Sequence, residues 1–133
     1  MKQVVSEDQA RKEIEQWLDI KRVSARKREQ YKDQEDVLAE AIMSGDLIVG
    51  ENGLELSLLF PTNDGEGVSV LKFKNRLTVG ERQATTKGVA ANDSEGRLIA
   101  YIAALTDQPV GVIKKLESGE DYERASSIAV YFL

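Results

Sequence analysis

Leu54-Glu55-Leu56-Ser57-Leu58 and Val68-Ser69-Val70-Leu71-Lys72-Phe73-Lys74 are two alternating runs, separated by Phe60-Pro61 and the turn-rich Thr62-Asn63-Asp64-Gly65-Glu66-Gly67. Alternation of apolar and polar residues is the pattern of a strand with one buried face. Leu77-Thr78-Val79-Gly80-Glu81 follows and carries the spacing of a capping box, the start of a helix. Strand, turn, strand and helix therefore form the centre of the chain. Leu54, Leu56 and Leu58 are expected to face the core together with Val68 and Val70, with Phe73 a further candidate. Glu55, Ser57, Ser69 and Lys72 are expected to face water. Leu71 breaks the alternation, so a bulge or a second register stays open.

Upstream, Leu47-Ile48-Val49 precedes Gly50-Glu51-Asn52-Gly53, and Asn52-Gly53 reads as a tight hairpin turn. This gives strands near 46–50, 54–60 and 67–75: a small antiparallel three-stranded sheet, or a hairpin if the first strand does not pair. Such a sheet needs helices on its apolar face. Ser6-Glu7-Asp8-Gln9 has capping-box spacing, and Ala10, Ile14, Trp17 and Leu18 then recur at helical intervals, predicting a helix near 7–20. A second helix is read over about 24–43, with Gly45 as its C-terminal stop. One long helix is the alternative, but its shared stripe would carry Lys21, Ser24, Arg28 and Glu35, which argues for two.

After Leu77, short connections separate helices. Gly88 closes the first, and Asn92-Asp93-Ser94-Glu95 opens the next, with its stripe at Leu98, Ile99, Ile102, Ala103 and Leu105. Pro109 suits the first turn of a short helix, and Ser118-Gly119-Glu120-Asp121 opens the last. Ser94 and Ser118 are read as helix caps. The expected fold is α+β: N-terminal helices, a small sheet, then three to four C-terminal helices. Residues 1–45 are read as an N-terminal helical extension of two amphipathic helices, and 46–133 as the main domain. The apolar ending Ile128-Ala129-Val130-Tyr131-Phe132-Leu133 requires cover, either from the fold itself or from a partner or second copy.

Composition removes much chemistry. The 133 residues include no cysteine and no histidine, which excludes disulfides, thiolate metal sites and the usual general base. The net charge of −5 disfavours general nucleic-acid affinity. The basic cluster from Lys21 to Arg28 reads first as a solvated helix face, since residues 1–45 carry nine basic and ten acidic residues. No phosphate loop, calcium loop or paired-carboxylate metal motif is present. The longest apolar run, Leu98 to Leu105, is far short of the roughly 20 residues of a membrane span. No catalytic, cofactor-binding or metal-binding residue is expected, and the reading is of a non-enzymatic cytoplasmic protein with no membrane partner.

Leu56-Ser57-Leu58-Leu59-Phe60-Pro61, Asp64-Gly65 and Val70 through Glu81 resemble the opening of tail assembly chaperones of long-tailed bacteriophages, the small proteins of P2-like and Mu-like phages. Leu98 through Pro109, Val112-Ile113-Lys114-Lys115-Leu116 and Asp121-Tyr122 are similar to the same group, so the likeness spans about 54–133. Residues 1–45 exceed the compact form of that family. The resemblance implies a chaperone in the bacterial host cytoplasm that binds the tape measure protein and helps the major tail protein polymerise around it. It implies absence from the finished virion and, in some members, a longer frameshifted product. Candidate partner-binding residues are Ile14, Trp17 and Leu18 on the first helix and Tyr122, Ile128 and Phe132 on the last, with core packing the competing role for each. Alternative readings are a structural virion component (a tail-terminator or head–tail joining protein), a small nucleic-acid-binding regulator using Lys21 to Arg28, and an enzyme without a recognisable motif.

Overall fold

A computed structural model describes residues 4–62 and 67–133, so the turn expected around Asn63–Glu66 lies outside the described residues. The element order is α1 (Glu7–Lys21), α2 (Ala25–Gln30), α3 (Lys32–Met43), β1 (Leu47–Gly50), β2 (Gly53–Ser57), β3 (Val70–Lys74), α4 (Val79–Thr86), α5 (Ser94–Thr106), α6 (Val110–Ile113) and α7 (Glu120–Ala129), ending in a 3₁₀ turn over Val130–Phe132. This is the expected α+β fold: helices, a three-stranded antiparallel sheet in the order β1-β2-β3, then helices.

Helix α1 starts where Ser6 accepts the Gln9 N–H, and it buries Ala10, Ile14, Trp17 and Leu18. It ends on Arg22 at φ 59, with Val23 N–H returning to Leu18 O at 3.0 Å. That is a Schellman closure without glycine. The helix read over 24–43 is two helices meeting at Tyr31, whose φ of −108 and ψ of 31 leave the helical region. The polar α2 buries nothing, while α3 sinks Leu38, Ala39, Ala41 and Ile42 into the core. The bend at Tyr31 lets its ring meet Tyr131 edge-on at 5.5 Å, and its carbonyl accepts the Tyr131 hydroxyl at 3.0 Å.

In the sheet, Leu47 pairs with Leu56, Leu56 with Leu71, and Leu54 with Phe73, so one face is a continuous apolar row. Val70, expected inside, is 38% exposed, and Leu71 is fully buried in its place. The odd step from Val68 to Leu71 is taken up before the strand begins. There Thr62 N–H reaches Val68 O, and Thr62 Oγ1 accepts Val68 N–H at 2.8 Å. Val68 stays half-buried beside the core.

The β1–β2 turn also differs from expectation. Gly50 pairs with Gly53, so Glu51 and Asn52 form the loop, and neither has positive φ. Gly53 is needed for another reason: at φ 151, a Cβ there would strike the Phe73 carbonyl oxygen.

Downstream, the Thr78–Glu81 capping box closes both of its hydrogen bonds, and Gly88 lies just beyond α4 at φ 84. Asp93, not Ser94, caps α5. Glu117, not Ser118, serves α7: its carboxylate accepts the N–H groups of Gly119, Glu120 and Asp121. A carboxylate three residues back reaches three free amides at once, which a hydroxyl cannot.

The core lies between the inner sheet face and α1, α3, α5 and α7. The segment expected as an extension, 1–45, contributes Ala10, Ile14, Trp17, Leu18, Leu38, Ala41 and Ile42 to the same cluster that holds Leu56, Ile102 and Ile128. The apolar ending is covered by the chain itself: Ile128, Ala129 and Tyr131 are buried, and Leu133 is exposed. Among the described residues, none covers the outer sheet face, where Ile48, Glu55, Val70 and Lys72 are exposed.

Candidate partner-binding surface and basic cleft

Four of the six candidate partner residues are core. Ile14, Trp17, Leu18 and Ile128 are each at most 1% exposed. Trp17 packs edge-on to Tyr131 at 5.7 Å, and its indole N–H donates to Asn75 Oδ1 at 2.9 Å. Asn75 in turn donates to Glu51 O, so the end of the sheet is tied to α1. Tyr122 and Phe132 are half-buried. Tyr122 lies in the groove between α5 and α7, where burial pushes its phenol up from the ordinary value. Phe132 is capped by the Lys21 ammonium, 3.6 Å from its ring centre.

The exposed apolar surface lies elsewhere. Leu59 and Phe60, which continue β2 toward Pro61, are 40% and 58% exposed. Their backbone does not hang free: Asp121, fully buried in the first turn of α7, accepts the Leu59 N–H at 2.8 Å and the Phe60 N–H at 2.9 Å. Two charge-assisted bonds from a buried carboxylate hold the pair rigidly while both side chains point to solvent. Ile48 and Val70 add apolar area on the outward face of the sheet. Alternation alone places Leu59 outside once Leu58 is inside, so this shoulder was within reach of the sequence. The support beneath it depends on a contact spanning 62 residues.

A second feature is a cleft of about 290 Å³ between the end of α1, α2 and the start of α4. Lys21, Lys27, Arg76 and Arg82 line it, with Thr78 and Phe132. The Lys21 ammonium is pulled down to about 8, first by burial and then by repulsion from Lys27 and Arg76. The Lys21–Arg28 cluster is thus divided by the fold. Arg28 pairs with Asp19 at 2.7 Å, Arg22 serves as the α1 stop, Arg26 faces water, and only Lys21 and Lys27 reach the cleft.

Among the described residues, no group of three or more His, Cys, Asp or Glu could hold a metal ion. Among them, too, no helix is long and apolar enough to cross a membrane. Comparison with protein-family models, curated proteins and solved structures finds no match to this chain.

Proposed function

We propose that the chain is a non-enzymatic tail assembly chaperone that binds the tape measure protein and promotes polymerisation of the tail tube around it. The observation that carries this reading is the Leu59–Phe60 shoulder, apolar and exposed, with its backbone held by buried Asp121. An exposed apolar pair on a rigid support loses little freedom when a partner covers it, which favours binding. Both halves of that arrangement fall in stretches that carry the resemblance to tail chaperones, Leu56 through Pro61 and Asp121-Tyr122. With Ile48 and Val70 on the same side of the sheet, the shoulder suits the apolar stripe of a long amphipathic client helix. Arriving tail protein would displace the chaperone by covering the same stripe. The role places the protein in the bacterial host cytoplasm.

The test is co-purification of the tagged chain with the product of the long, helix-rich gene beside its own, using wild type and Leu59→Ser/Phe60→Ser. Recovery by wild type and loss by the variant, with unchanged circular dichroism, is the expected result. Recovery by neither chain, or equally by both, would overturn the reading.

A further inference from the structure

The cleft beside α1 gathers four cations, Lys21, Lys27, Arg76 and Arg82. Arg11, Arg28, Lys72, Lys74 and Arg124 each have a carboxylate within 4.0 Å. Among the described residues, no acidic side chain pairs with Lys21, Lys27, Arg76 or Arg82, although the chain carries 23 acidic residues against 18 basic ones. In an acidic protein, a hollow lined by four cations and no acidic side chain is not an average of the surface. Burial lowers the Lys21 ammonium most, and repulsion from Lys27 and Arg76 lowers it further. Lys27 also donates to the main-chain oxygen of Leu133 at 2.7 Å, at the rim of the cleft.

We infer that this cleft binds a phosphate group, free or carried on a small phosphomonoester. A carboxylate would neutralise one of the four charges; a phosphate brings nearly two and offers three acceptor oxygens. The forked guanidinium groups of Arg76 and Arg82 match that geometry, and Lys21 and Lys27 add point charges. Thr78 Oγ1 accepts the Glu81 N–H, leaving its own O–H to donate. Glu81, one turn into α4, is committed to Lys74 at 2.6 Å and to the Thr78 N–H. Leu77, Val79 and Phe132 form an apolar wall for the body of an ester. The volume of about 290 Å³ sits at the lower end for ligand pockets, about 300–1,000 Å³, which suits a small ligand. The net charge of −5 disfavours an extended polyphosphate such as nucleic acid. None of these residues belongs to the Leu59–Phe60 shoulder, so the two sites stand or fall separately.

The experiment is a titration at low salt and pH 7 with inorganic phosphate and with phenyl phosphate, followed by calorimetry and amide NMR shifts. Wild type is expected to bind saturably, with shifts concentrated around residues 21, 27 and 76–82. Arg76→Gln and Arg82→Gln should each weaken binding about tenfold, the effect of one lost charge-assisted hydrogen bond. Lys72→Gln, on the outer sheet face, should change nothing. Equal affinity for the two probes would assign free phosphate; tighter phenyl phosphate would assign an ester. If an arginine variant fails to fold, wild type still decides the matter, because bound phosphate must raise the Lys21 ammonium above its starting value of about 8. Three results would overturn the inference: no saturable binding by either probe, undiminished binding by the double arginine variant, or tighter binding of duplex DNA with a salt slope of several phosphates.

Discussion

Arg124 reaches Asp46 across 78 positions of sequence, its Nη1 2.9 Å from Oδ2. The arginine is 4% exposed, and Asp46 also accepts the Ser44 hydroxyl at 2.9 Å. The pair joins α7 to the turn between α3 and β1. Arg124→Met leaves Asp46 without its cation and should cost about 3 kcal/mol, the low end for a broken buried pair because Asp46 keeps Ser44 and some water. Adding Asp46→Asn should recover much of that loss. Urea unfolding of the two variants and wild type measures both.

Asp121→Asn removes the charge from both bonds under the shoulder and leaves the amide one acceptor for two N–H groups. A loss of about 2 kcal/mol is expected. Hydrogen exchange at Leu59 and Phe60 should accelerate beyond the global change, because local opening there no longer breaks charged bonds. If the two amides keep their protection relative to the rest of β2, the clamp does not act as described.

Gly53→Ala should destabilise by about 3 kcal/mol, since the new methyl meets the Phe73 carbonyl oxygen and the backbone at φ 151 is strained for any L-residue. Gly80→Ala meets nothing within 4 Å and lies inside α4, so it should stabilise by about 0.5–1 kcal/mol. The contrast, read by thermal unfolding, separates a close backbone approach from ordinary helix propensity.

Lys21 and Tyr131 pull the pH dependence of stability in opposite directions. Lys21 titrates at about 8 when folded against an ordinary 10.5, lowered first by burial and then by Lys27 and Arg76. Between those values the unfolded chain holds more protons, so stability rises with pH; the penalty is full below pH 8 and gone above 10.5. The Tyr131 phenol is pushed up from 10.0 to about 12, chiefly by burial and then by Glu35, with Arg28 opposing. There the folded chain holds the extra proton, so stability falls from pH 10 to 12. Together the two groups place a maximum near pH 10. Urea midpoints across that range should lose the rise in Lys21→Met and the fall in Tyr131→Phe.

The helices and strands were legible because each carries a local signal: Ser6 and Thr78 as caps, Gly45 and Gly88 as stops, and alternation in β2. Three of the errors share one cause. Val70, the Glu51–Asn52 loop and the break at Tyr31 are decided by partners far away in sequence, namely Leu56 opposite Leu71, Phe73 beside Gly53, and Tyr131 against Tyr31. Ser118 gave way to Glu117 for a nearer reason, the longer reach of a carboxylate over three amides. The basic cleft could not be read at all. Its four cations come from positions 21, 27, 76 and 82, and the linear cluster at Lys21–Arg28 showed only two of them.

The clasp between Tyr31 and Tyr131, whose bond closes a separation of 100 residues, governs when the protein can finish folding during synthesis. Trp17 waits for the same tyrosine ring as its wall. A nascent chain therefore carries Trp17 without its Tyr131 wall until position 131 has emerged. Closure of such distant contacts is slow and comes late. A ribosome stalled before that point should display a helical N-terminal half that is more readily cut by protease, and emergence of position 131 should end that vulnerability.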